Sequence, residues 1–381
     1  MLKIAAVSSS RADYSHLYWP LKKMEEHPGL DPEVILFGAH LSPRYGQTRD
    51  LVGRDGFRLR ASLESLISSD TDVGMAKTIG TATLAFADEL ARDRPDLLLI
   101  IADRYEMLAP ASVALSLRIP MAHIEGGEIS EGAIDDAVRN ALTKLAHVHL
   151  TPHEPARQRV LAMGEEPWRV HTVGAPSLDH LRHSPLKDEA VLRRELGLGG
   201  TGTLIVVAYH PVTLAEDTTR ECQALFAALD QLEGTIAFCF PNADAGSQYI
   251  IGLAEQFCIR SEHRRIFVNL PAPDYFSLLR CADLMLGNSS SGIMETPSLK
   301  LPTVNVGWRQ QGRLCAGNII SVEADTAEIL DAARRALEPD FARSLDNLEN
   351  PYGGGDSGER ICQVLADLPD RETLLAKRSL P

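Results

Sequence analysis

The feature that most constrains the fold of this chain is the alternation of short apolar runs with longer amphipathic stretches. Runs rich in Val, Ile and Leu are typical of buried strands, and apolar residues at helical spacing follow most of them. This alternation predicts parallel strands joined by crossover helices, that is, doubly wound α/β sheets. The predicted strands are Leu2–Val7, Glu33–Phe37, Asp96–Ile101, Ile119–Ile124, Val148–Leu150, Thr203–Ala208, Thr235–Phe240, Arg265–Leu270, Asp283–Leu286 and Thr303–Val306.

The pattern breaks once, between residues 173 and 202. Pro176, Pro185 and a glycine-rich stretch at residues 197–202 predict a linker there. A chain of 381 residues is also too long for one ordinary core. The sequence therefore predicts two Rossmann-like domains, one at residues 1–175 and a nucleotide-binding one at 176–356. A final helix at about residues 357–381 is predicted to pack back on the first domain.

Composition excludes several classes of partner. The formal net charge of −14 disfavours binding to nucleic acid and to anionic membranes. The six cysteines have no metal-ligand spacing, so we predict reduced core thiols and no metal. The first apolar run is too short for a signal peptide, and no run has the roughly 20 apolar residues of a membrane helix. We therefore predict a cytoplasmic protein.

The segment Gly287–Gly307 contains the most informative local pattern. A buried strand ends there in a glycine followed by Ser289, Ser290 and Ser291, and a short helix then begins. Free amide groups and the positive end of a helix dipole would bind an anion, and the hydroxyls add donors. Glu295, one turn later, could accept from a sugar hydroxyl. A polar loop before an ordinary capped helix explains the same residues. From this loop alone, the anion site and the ordinary loop are about equally well supported.

Other polar residues follow predicted strands in both halves of the chain. Because ligands of such sheets bind beyond the carboxyl ends of the strands, these residues become candidates. A carboxylate there is a candidate general base, an arginine can meet a phosphate, and a histidine can move a proton. Each alone is as well explained by helix capping or solvation. The candidates from the residues alone are Arg11, Asp103, Glu125, His210, Asn242, Asp244, Arg309 and Arg313.

A dense group of acids follows the predicted strand Ile119–Ile124. The group comprises Glu125, Glu128, Glu131, Asp135 and Asp136. Mutual repulsion in such a group would raise the pKa of some members toward values useful for proton transfer. Any single one of these acids is still more often solvated than catalytic.

Read together, these motifs resemble a known enzyme family. The segments RADYSHL, DRYEMLA, HIEGGEISEGAIDDAVRNALTKLAHVH, YHPVT, PNADAGS and GNSSSGIMETPSLKLPTVNVGWRQQGR closely resemble the hydrolysing UDP-N-acetylglucosamine 2-epimerases. The resemblance implies a GT-B fold, with two Rossmann-like doubly wound domains facing across a cleft. It implies a UDP-sugar substrate, UDP as product, no cofactor, and a homodimer or homotetramer. The implied reaction eliminates UDP to a 2-acetamidoglucal and then adds water to give the free 2-epimer.

The resemblance also implies roles for residues that match the motifs. The implied catalytic residues are Asp103, Glu125, Asp135 and His210. The implied contacts to UDP or substrate are Arg11, Asn242, Asp244, Ser290, Ser291, Glu295 and Arg313. To these we add their neighbours Arg104, Ser289 and Arg309.

Three positions depart from the family pattern and bear on substrate identity. Ala102 stands where many relatives have glycine, Asn140 where they often have histidine, and Trp308 where they often have a small or polar residue. A non-hydrolysing UDP-N-acetylglucosamine 2-epimerase, a GT-B transferase or nucleotide-sugar hydrolase, and an inactive UDP-sugar-binding regulator stay open as alternatives. The substrate is predicted only as UDP-N-acetylglucosamine or a close UDP-amino sugar.

Overall fold

The structure, a computed structural model, describes residues 1–199, 201–217 and 219–380. Its strands are β1 Leu2–Ser8, β2 Leu30–Phe37, β3 Leu59–Leu63, β4 Leu97–Ile101, β5 Met121–Ile124, β6 Val148–Thr151, β7 Val170–Thr172, β8 Leu204–Ala208, β9 Thr235–Cys239, β10 Arg264–Phe267, β11 Leu284–Gly287, β12 Thr303–Val306 and β13 Ile319–Val322. Its α-helices are α1 Arg11–Glu26, α2 Asp50–Arg54, α3 Asp72–Arg92, α4 Leu108–Leu117, α5 Asp135–Leu145, α6 Glu154–Ala162, α7 Asp179–His183, α8 Glu189–Leu196, α9 Cys222–Leu229, α10 Ser247–Cys258, α11 Ala272–Cys281, α12 Ser291–Met294, α13 Thr326–Ala336, α14 Pro339–Ser344, α15 Ser357–Ala366 and α16 Arg371–Leu375.

The chain forms two compact units. The first comprises Met1–Glu128, Ile134–Asp179 and Tyr352–Pro381, and the second Ile129–Ala133 and His180–Pro351. Five residues between β5 and α5 thus belong to the second unit, although the chain on either side belongs to the first. The sequence predicts boundaries at 175/176 and 356/357, and these two boundaries remain predictions. The predicted glycine hinge includes Gly200, which lies outside the described residues.

The first unit is built on a seven-stranded parallel sheet in the order β3-β2-β1-β4-β5-β6-β7. Its centre is apolar on both faces, and all five residues of β4 are fully buried. The strand order reverses between β1 and β4, because the chain builds outward from β1 first to one side and then to the other. Loops at such a reversal leave room for ligands at the carboxyl ends of the strands.

The second unit repeats this plan with six parallel strands in the order β10-β9-β8-β11-β12-β13. The reversal lies between β8 and β11. Gly287, the last residue of β11, has φ of +144°, and a Cβ there would lie 2.0 Å from the carbonyl oxygen of Ala208 on β8. Only glycine permits this close approach. The prediction of two doubly wound parallel sheets is therefore confirmed.

The last segment of the chain completes the first unit. Asp179 accepts the amide hydrogens of Ser357 and Gly358 at the start of α15, at 2.9 and 2.7 Å. The buried guanidinium of Arg169 donates to the carbonyl oxygens of Thr373 and Leu374, at 3.2 and 2.9 Å. These bonds satisfy buried charges of the first unit with groups that come from the far end of the sequence.

The structure bears on two expectations drawn from composition, one about membrane helices and one about the cysteines. Among the described residues, no helix has the length and apolar character that spanning a bilayer requires. The six cysteines are free thiols, but Cys315 is exposed and Cys281 is only half-buried. The prediction that the cysteines are core residues is therefore wrong for Cys315, whereas Cys281 packs against an apolar cluster of the second unit.

Candidate active site

In the first unit, the candidate carboxylates follow neighbouring strands. β4 and β5 are paired in parallel, with Ile101 opposite Ile124. Asp103 follows β4 by two residues, and Glu125 follows β5 directly. The structure therefore brings these two predicted residues to the same edge of one sheet. Glu125 is almost fully buried, and the Asp103 side chain is a fifth exposed.

The backbone at both strand ends has the left-handed conformation. Ala102 has φ of +57° and Glu125 has φ of +65°, which is uncommon for residues with a side chain. Between them, the fully buried His123 contacts the carbonyl oxygen of Ala102 through Nε2 at 2.7 Å. Burial lowers the pKa of His123 to about 4, so the ring is neutral and Nε2 donates. Strain of this kind is commonly found at functional sites, where surrounding contacts hold it.

Asp103 is paired with an arginine that comes from a different element. The guanidinium of Arg139, on α5, donates to Asp103 Oδ2 through Nη2 and to the carbonyl oxygen of Glu128 through Nη1, the latter at 3.0 Å. Arg139 is fully buried. Asp135 is the first residue of the same helix and is itself buried, so α5 carries both a predicted catalytic acid and the counter-ion of another.

Glu125 has a different partner. Its Oε1 lies 2.8 Å from Nδ1 of His16, which is on the second turn of α1. The imidazole is a fifth exposed, whereas the carboxylate is 6% exposed. Since a carboxylate accepts, Nδ1 carries the hydrogen of this bond.

The other acids of the predicted cluster have partners of their own. Glu128 is buried and accepts from the Tyr352 hydroxyl at 3.2 Å, and its Oε1 lies 2.5 Å from His153 Nε2. Asp136 lies 3.5 Å from Arg139, and Glu131 is exposed in the second unit. Glu125, Glu128 and Asp136 thus have different partners, and mutual repulsion among the acids of this group stays a prediction.

The two predicted arginines of the first unit lie in different environments. Arg11 is the first residue of α1, directly after the capping residue Ser10, and is half-buried. Arg104 is buried and donates to the fully buried Glu106 at 3.0 Å, with its guanidinium 5.5 Å from the ring centre of Tyr105. Arg104 is thus held between an acidic and an aromatic neighbour of the first unit.

In the second unit, His210 lies just beyond β8 and is held on three sides. Asn288, directly after β11, accepts its amide hydrogen at 2.7 Å and donates to its carbonyl oxygen at 2.9 Å. The amide of Asn242, after β9, donates to His210 Nδ1 at 3.2 Å. Because Nδ1 accepts, the ring hydrogen of the neutral form is on Nε2. Asp244, two residues beyond Asn242, is buried.

The serine loop is followed by a short helix, as predicted. The α-helix that follows it, α12, has only four residues, and the amides of Ser291 to Glu295 donate to oxygens within the loop itself. Anion binding by free amides and by the helix dipole at this loop stays a prediction. The hydroxyls stay available as a donor set, since all three serines are half-exposed. Ser291 Oγ lies 2.6 Å from the hydroxyl of Tyr275 on α11.

The remaining predicted residues lie around the same loop. Arg309 is buried and donates through Nη1 to the carbonyl oxygen of Asn288 at 3.1 Å. Arg313 is buried with Nη1 3.8 Å from the sulfur of Met294. Glu295 is 3% exposed. The structure thus gathers the second-unit candidates at the carboxyl ends of β8, β9, β11 and β12.

Sequence reasoning missed four residues that hold these candidates. They are His16, Arg139, Asn288 and Tyr275. His16, Arg139 and Asn288 lie within the motifs given above, whereas Tyr275 lies outside all of them. Only Asn288, which is uncharged, directly follows a strand. Helical spacing offers one usable signal, since Arg139 is one turn beyond Asp135 and Asp136 and so shares their helix face.

Comparisons with known proteins decide the family. The family model described as UDP-N-acetylglucosamine 2-epimerase matches residues 22–366. The chain belongs to this family. It is 35% identical over 339 residues to GDP/UDP-N,N'-diacetylbacillosamine 2-epimerase (hydrolyzing) from Campylobacter jejuni, covering 88% of this chain and 87% of that one. It is 34% identical over 376 residues to UDP-N,N'-diacetylbacillosamine 2-epimerase (hydrolyzing) from Legionella pneumophila, covering 98% of both.

A solved structure extends the comparison to the fold. The crystal structure of UDP-GlcNAc 2-epimerase from Neisseria meningitidis bound to UDP-GlcNAc matches with a TM-score of 0.81 at 16% identity, covering 96% of this chain and 100% of that one. The predicted GT-B class and the predicted resemblance to this family are confirmed. Both relatives are named as hydrolysing 2-epimerases. This is the class that the sequence predicts for the chain. Within the described part of the chain, no group of three or more His, Cys, Asp or Glu residues could hold a metal ion.

Proposed function

We propose that this family member is a hydrolysing UDP-sugar 2-epimerase whose substrate is a UDP-2,4-diacetamido-2,4,6-trideoxy sugar of the diacetylbacillosamine type. One observation carries the proposal: the relatives at 35% and 34% identity, which match nearly end to end, bear that name. The sequence predicts UDP-N-acetylglucosamine or a close UDP-amino sugar, and the diacetamido sugar is such a relative. UDP-N-acetylglucosamine itself is the second candidate, because the Neisseria protein of the same fold was crystallised with it.

In the proposed reaction the sugar loses its C2 proton to a carboxylate while the C1–O bond breaks. The electron pair of that bond leaves with UDP, and a 2-acetamidoglucal forms. Water then adds its hydroxyl at C1, and a proton returns to C2 from the opposite face. The balance is UDP-sugar plus water to UDP plus the free 2-epimer, with no change in oxidation state.

We assign the proton transfers to carboxylates of the first unit. Asp103, Glu125 and Asp135 are the candidates, because they lie at strand ends or at a helix start and have structured surroundings. Asp103 beside the permanently charged Arg139 suits the ionised form that a base needs. Two acid–base groups are the minimum for removal and return of a proton on opposite faces.

We assign UDP to the second unit. His210 carries its ring hydrogen on Nε2, which suits donation to a phosphate oxygen. Asn242, Asp244, the three serines, Glu295, Arg309 and Arg313 are the proposed contacts around it, and Arg11 and Arg104 are the proposed contacts of the first unit. No metal or organic cofactor enters this scheme.

The test is a product assay with a panel of UDP-amino sugars in deuterated water. We expect UDP release, free 2-epimer and deuterium at C2, with the diacetamido-trideoxy sugar turned over fastest. A faster reaction of UDP-N-acetylglucosamine would favour the second candidate. Recovery of an intact UDP-2-epimer would indicate a non-hydrolysing enzyme, and transfer or hydrolysis without deuterium at C2 would contradict epimerisation.

The proposed UDP site has its own test at Tyr275. Tyr275→Phe removes the hydroxyl that lies 2.6 Å from Ser291 Oγ. We expect UDP affinity to fall about threefold to tenfold, the worth of one hydrogen bond. Isothermal titration calorimetry measures this. Tyr249→Phe is the matched control, because Tyr249 is 45% exposed on α10 and belongs to the same unit. Equal affinities of the two variants would argue against a role for the serine loop.

We also propose that the protein is a cytoplasmic homo-oligomer. The supporting feature is an apolar strip on the first unit: Val73 and Leu84, 57% and 72% exposed, lie on one face of α3 because they are three helical turns apart. Contacts between α3 and α4 bring Leu115, 50% exposed, into the same region. Light scattering on the wild type and on Leu84→Glu tests this, and a wild-type monomer would contradict it. Fractionation of cells tests the location.

A further inference from the structure

The two candidate carboxylates at the ends of β4 and β5 are held by chemically different partners. Asp103 is paired with the guanidinium of Arg139, which is charged at every accessible pH. Glu125 is paired with the imidazole of His16, which can be neutral or charged. Two acids on adjacent strands thus have one fixed and one variable counter-ion, and this difference is the basis of the inference.

The main chain of Glu125 leaves its side chain little freedom of direction. Its φ of +65° is left-handed, and its amide donates to the carbonyl oxygen of Leu150 at 2.9 Å. The carboxylate is 6% exposed. With the backbone anchored, the orientation of the carboxylate depends on the contacts of its oxygens. His16 Nδ1 supplies one such contact, at 2.8 Å from Oε1.

His16 is itself anchored. It lies on α1, whose start is fixed by Ser10 and Asp13: Asp13 Oδ2 accepts from Ser9 N, Ser9 Oγ and Ser10 N, at 2.9, 2.6 and 3.1 Å. The helix packs against the sheet through Leu17 and Leu21, which are fully buried. The imidazole therefore reaches Glu125 from a rigid element, as a residue that orients another group must.

We propose that His16 is a positioning residue for Glu125: its Nδ1–H holds the carboxylate in the orientation from which Glu125 exchanges a proton with the sugar. The inference rests on the proposed function, because it presumes that Glu125 acts in the reaction. His16 does not touch the substrate in this scheme. It sets the direction of the carboxylate. Glu125 thereby has a partner whose charge can change, whereas the partner of Asp103 is permanently charged.

The contact atom suggests a sharp set of variants. The amide nitrogen of asparagine occupies nearly the position of histidine Nδ1, so His16→Asn keeps a donor to Glu125, whereas His16→Leu removes it. We expect His16→Leu to lower kcat about 10- to 100-fold, the worth of one charge-assisted hydrogen bond, with KM and UDP affinity within about twofold of wild type. We expect His16→Asn to recover most of this loss.

The matched control is His27→Asn. His27 lies at the end of the same helix, and its ring Nδ1 accepts the amide hydrogen of the nearby Gly29 at 3.1 Å. This variant should retain the kcat of the wild type. Equal kcat for His16→Leu and wild type, or equal losses for His16→Asn and His16→Leu, would overturn the proposal.

A second measurement does not depend on turnover. With 15N-labelled histidine, the Nδ1–H of His16 should give a downfield proton resonance protected from exchange, assigned by its loss in His16→Asn. Glu125→Gln should shift this resonance upfield and increase its exchange. If no UDP-sugar is turned over but the resonance responds as expected, the proposed function fails while the pairing stands. A resonance unaffected by Glu125→Gln would overturn the pairing itself.

Discussion

Asn288 holds the main chain of His210 from both sides, accepting its amide hydrogen at 2.7 Å and donating to its carbonyl oxygen at 2.9 Å. The carbonyl oxygen of Asn288 in turn accepts from Arg309 and from Gln310, at 3.1 and 2.9 Å. The side chain and the main chain of this one fully buried residue therefore link His210, beyond β8, to Arg309 and Gln310, beyond β12. The candidate histidine owes its position to an asparagine on the neighbouring strand.

Asn288→Ala should remove both bonds and leave two buried backbone groups of His210 without partners. We expect the free energy of unfolding to fall by about 2 to 3 kcal/mol. Urea denaturation measures it. Asn347→Ala, at an exposed position of the same unit, is the control and should change stability by less than about 0.5 kcal/mol. A loss no larger than the control's would show that solvent replaces the asparagine.

Substitutions at Ala102 test the strain at the end of β4. Ala102→Gly relieves the left-handed φ of +57° but increases the entropy of the unfolded chain. We therefore expect the free energy of unfolding to stay the same or to rise by up to about 1 kcal/mol. Ala102→Val, β-branched at the same φ, should cost about 1 to 2 kcal/mol.

The contrast for this pair is Ala137→Gly, at an exposed position of α5. Removing a helical side chain there should cost about 0.5 to 1 kcal/mol. Thermal denaturation of the three variants gives the comparison. If Ala102→Gly destabilised as much as Ala137→Gly, position 102 would not be strained.

Arg139→Met tests the counter-ion of Asp103. The substitution keeps the apolar stem but removes a fully buried guanidinium, and we expect the free energy of unfolding to fall by about 3 kcal/mol. Adding Asp103→Asn should recover part of this loss, since the two residues interact directly.

The surface pair Arg360–Asp356 is the reference for the single and double variants of Arg139 and Asp103. Arg360 is 54% exposed, so Arg360→Met should cost no more than about 1 kcal/mol. Denaturant titration of all variants supplies the energies. Strict additivity of Arg139→Met and Asp103→Asn would contradict a direct ion pair.

Three buried histidines should make the protein sensitive to mild acid. Burial lowers the pKa of His40 to about 3 and of His123 and His147 to about 4, from an ordinary 6.5. Below pH 6.5 the unfolded chain binds protons at these sites while the folded chain does not, so acid favours unfolding. We expect stability to fall between pH 6.5 and 4 by about 1 kcal/mol per pH unit for each histidine.

Unfolding curves at pH 7, 6 and 5 measure this dependence. His123→Gln should flatten this dependence by the share of one histidine, because glutamine does not titrate. An identical slope for wild type and His123→Gln would show that His123 does not carry the effect.

The sequence predicts the inner strands of both sheets and the edge strand β10, but it misses the other three edge strands. β3, β7 and β13 were not predicted, and each lies at an edge of its sheet. Their residues are mostly half-buried, so they leave no continuous apolar run. A strand with one open side needs fewer apolar residues, and periodicity alone does not distinguish it from a loop.

The same limit applies to the site. Candidates such as Asp103 and His210 were found because they directly follow apolar runs, and position along the chain carries that information. Their partners Arg139 and Asn288 depend on which strands and helices become neighbours, at sequence separations of 36 and 78 residues. The serine loop is the opposite case, because its place after β11 and the short helix that follows it are both predicted from local residues.

The late return of the chain to the first unit has a consequence for synthesis. Glu128, Asp179 and Arg169 are buried, and their partners Tyr352, Ser357 and Leu374 leave the ribosome only after residues 180–351 have been made. At roughly 5 to 20 residues per second, that delay is about 10 to 30 seconds. The half of the protein that is translated first is thus the last to be finished, and its sheet must wait without its C-terminal helices while the second unit is made.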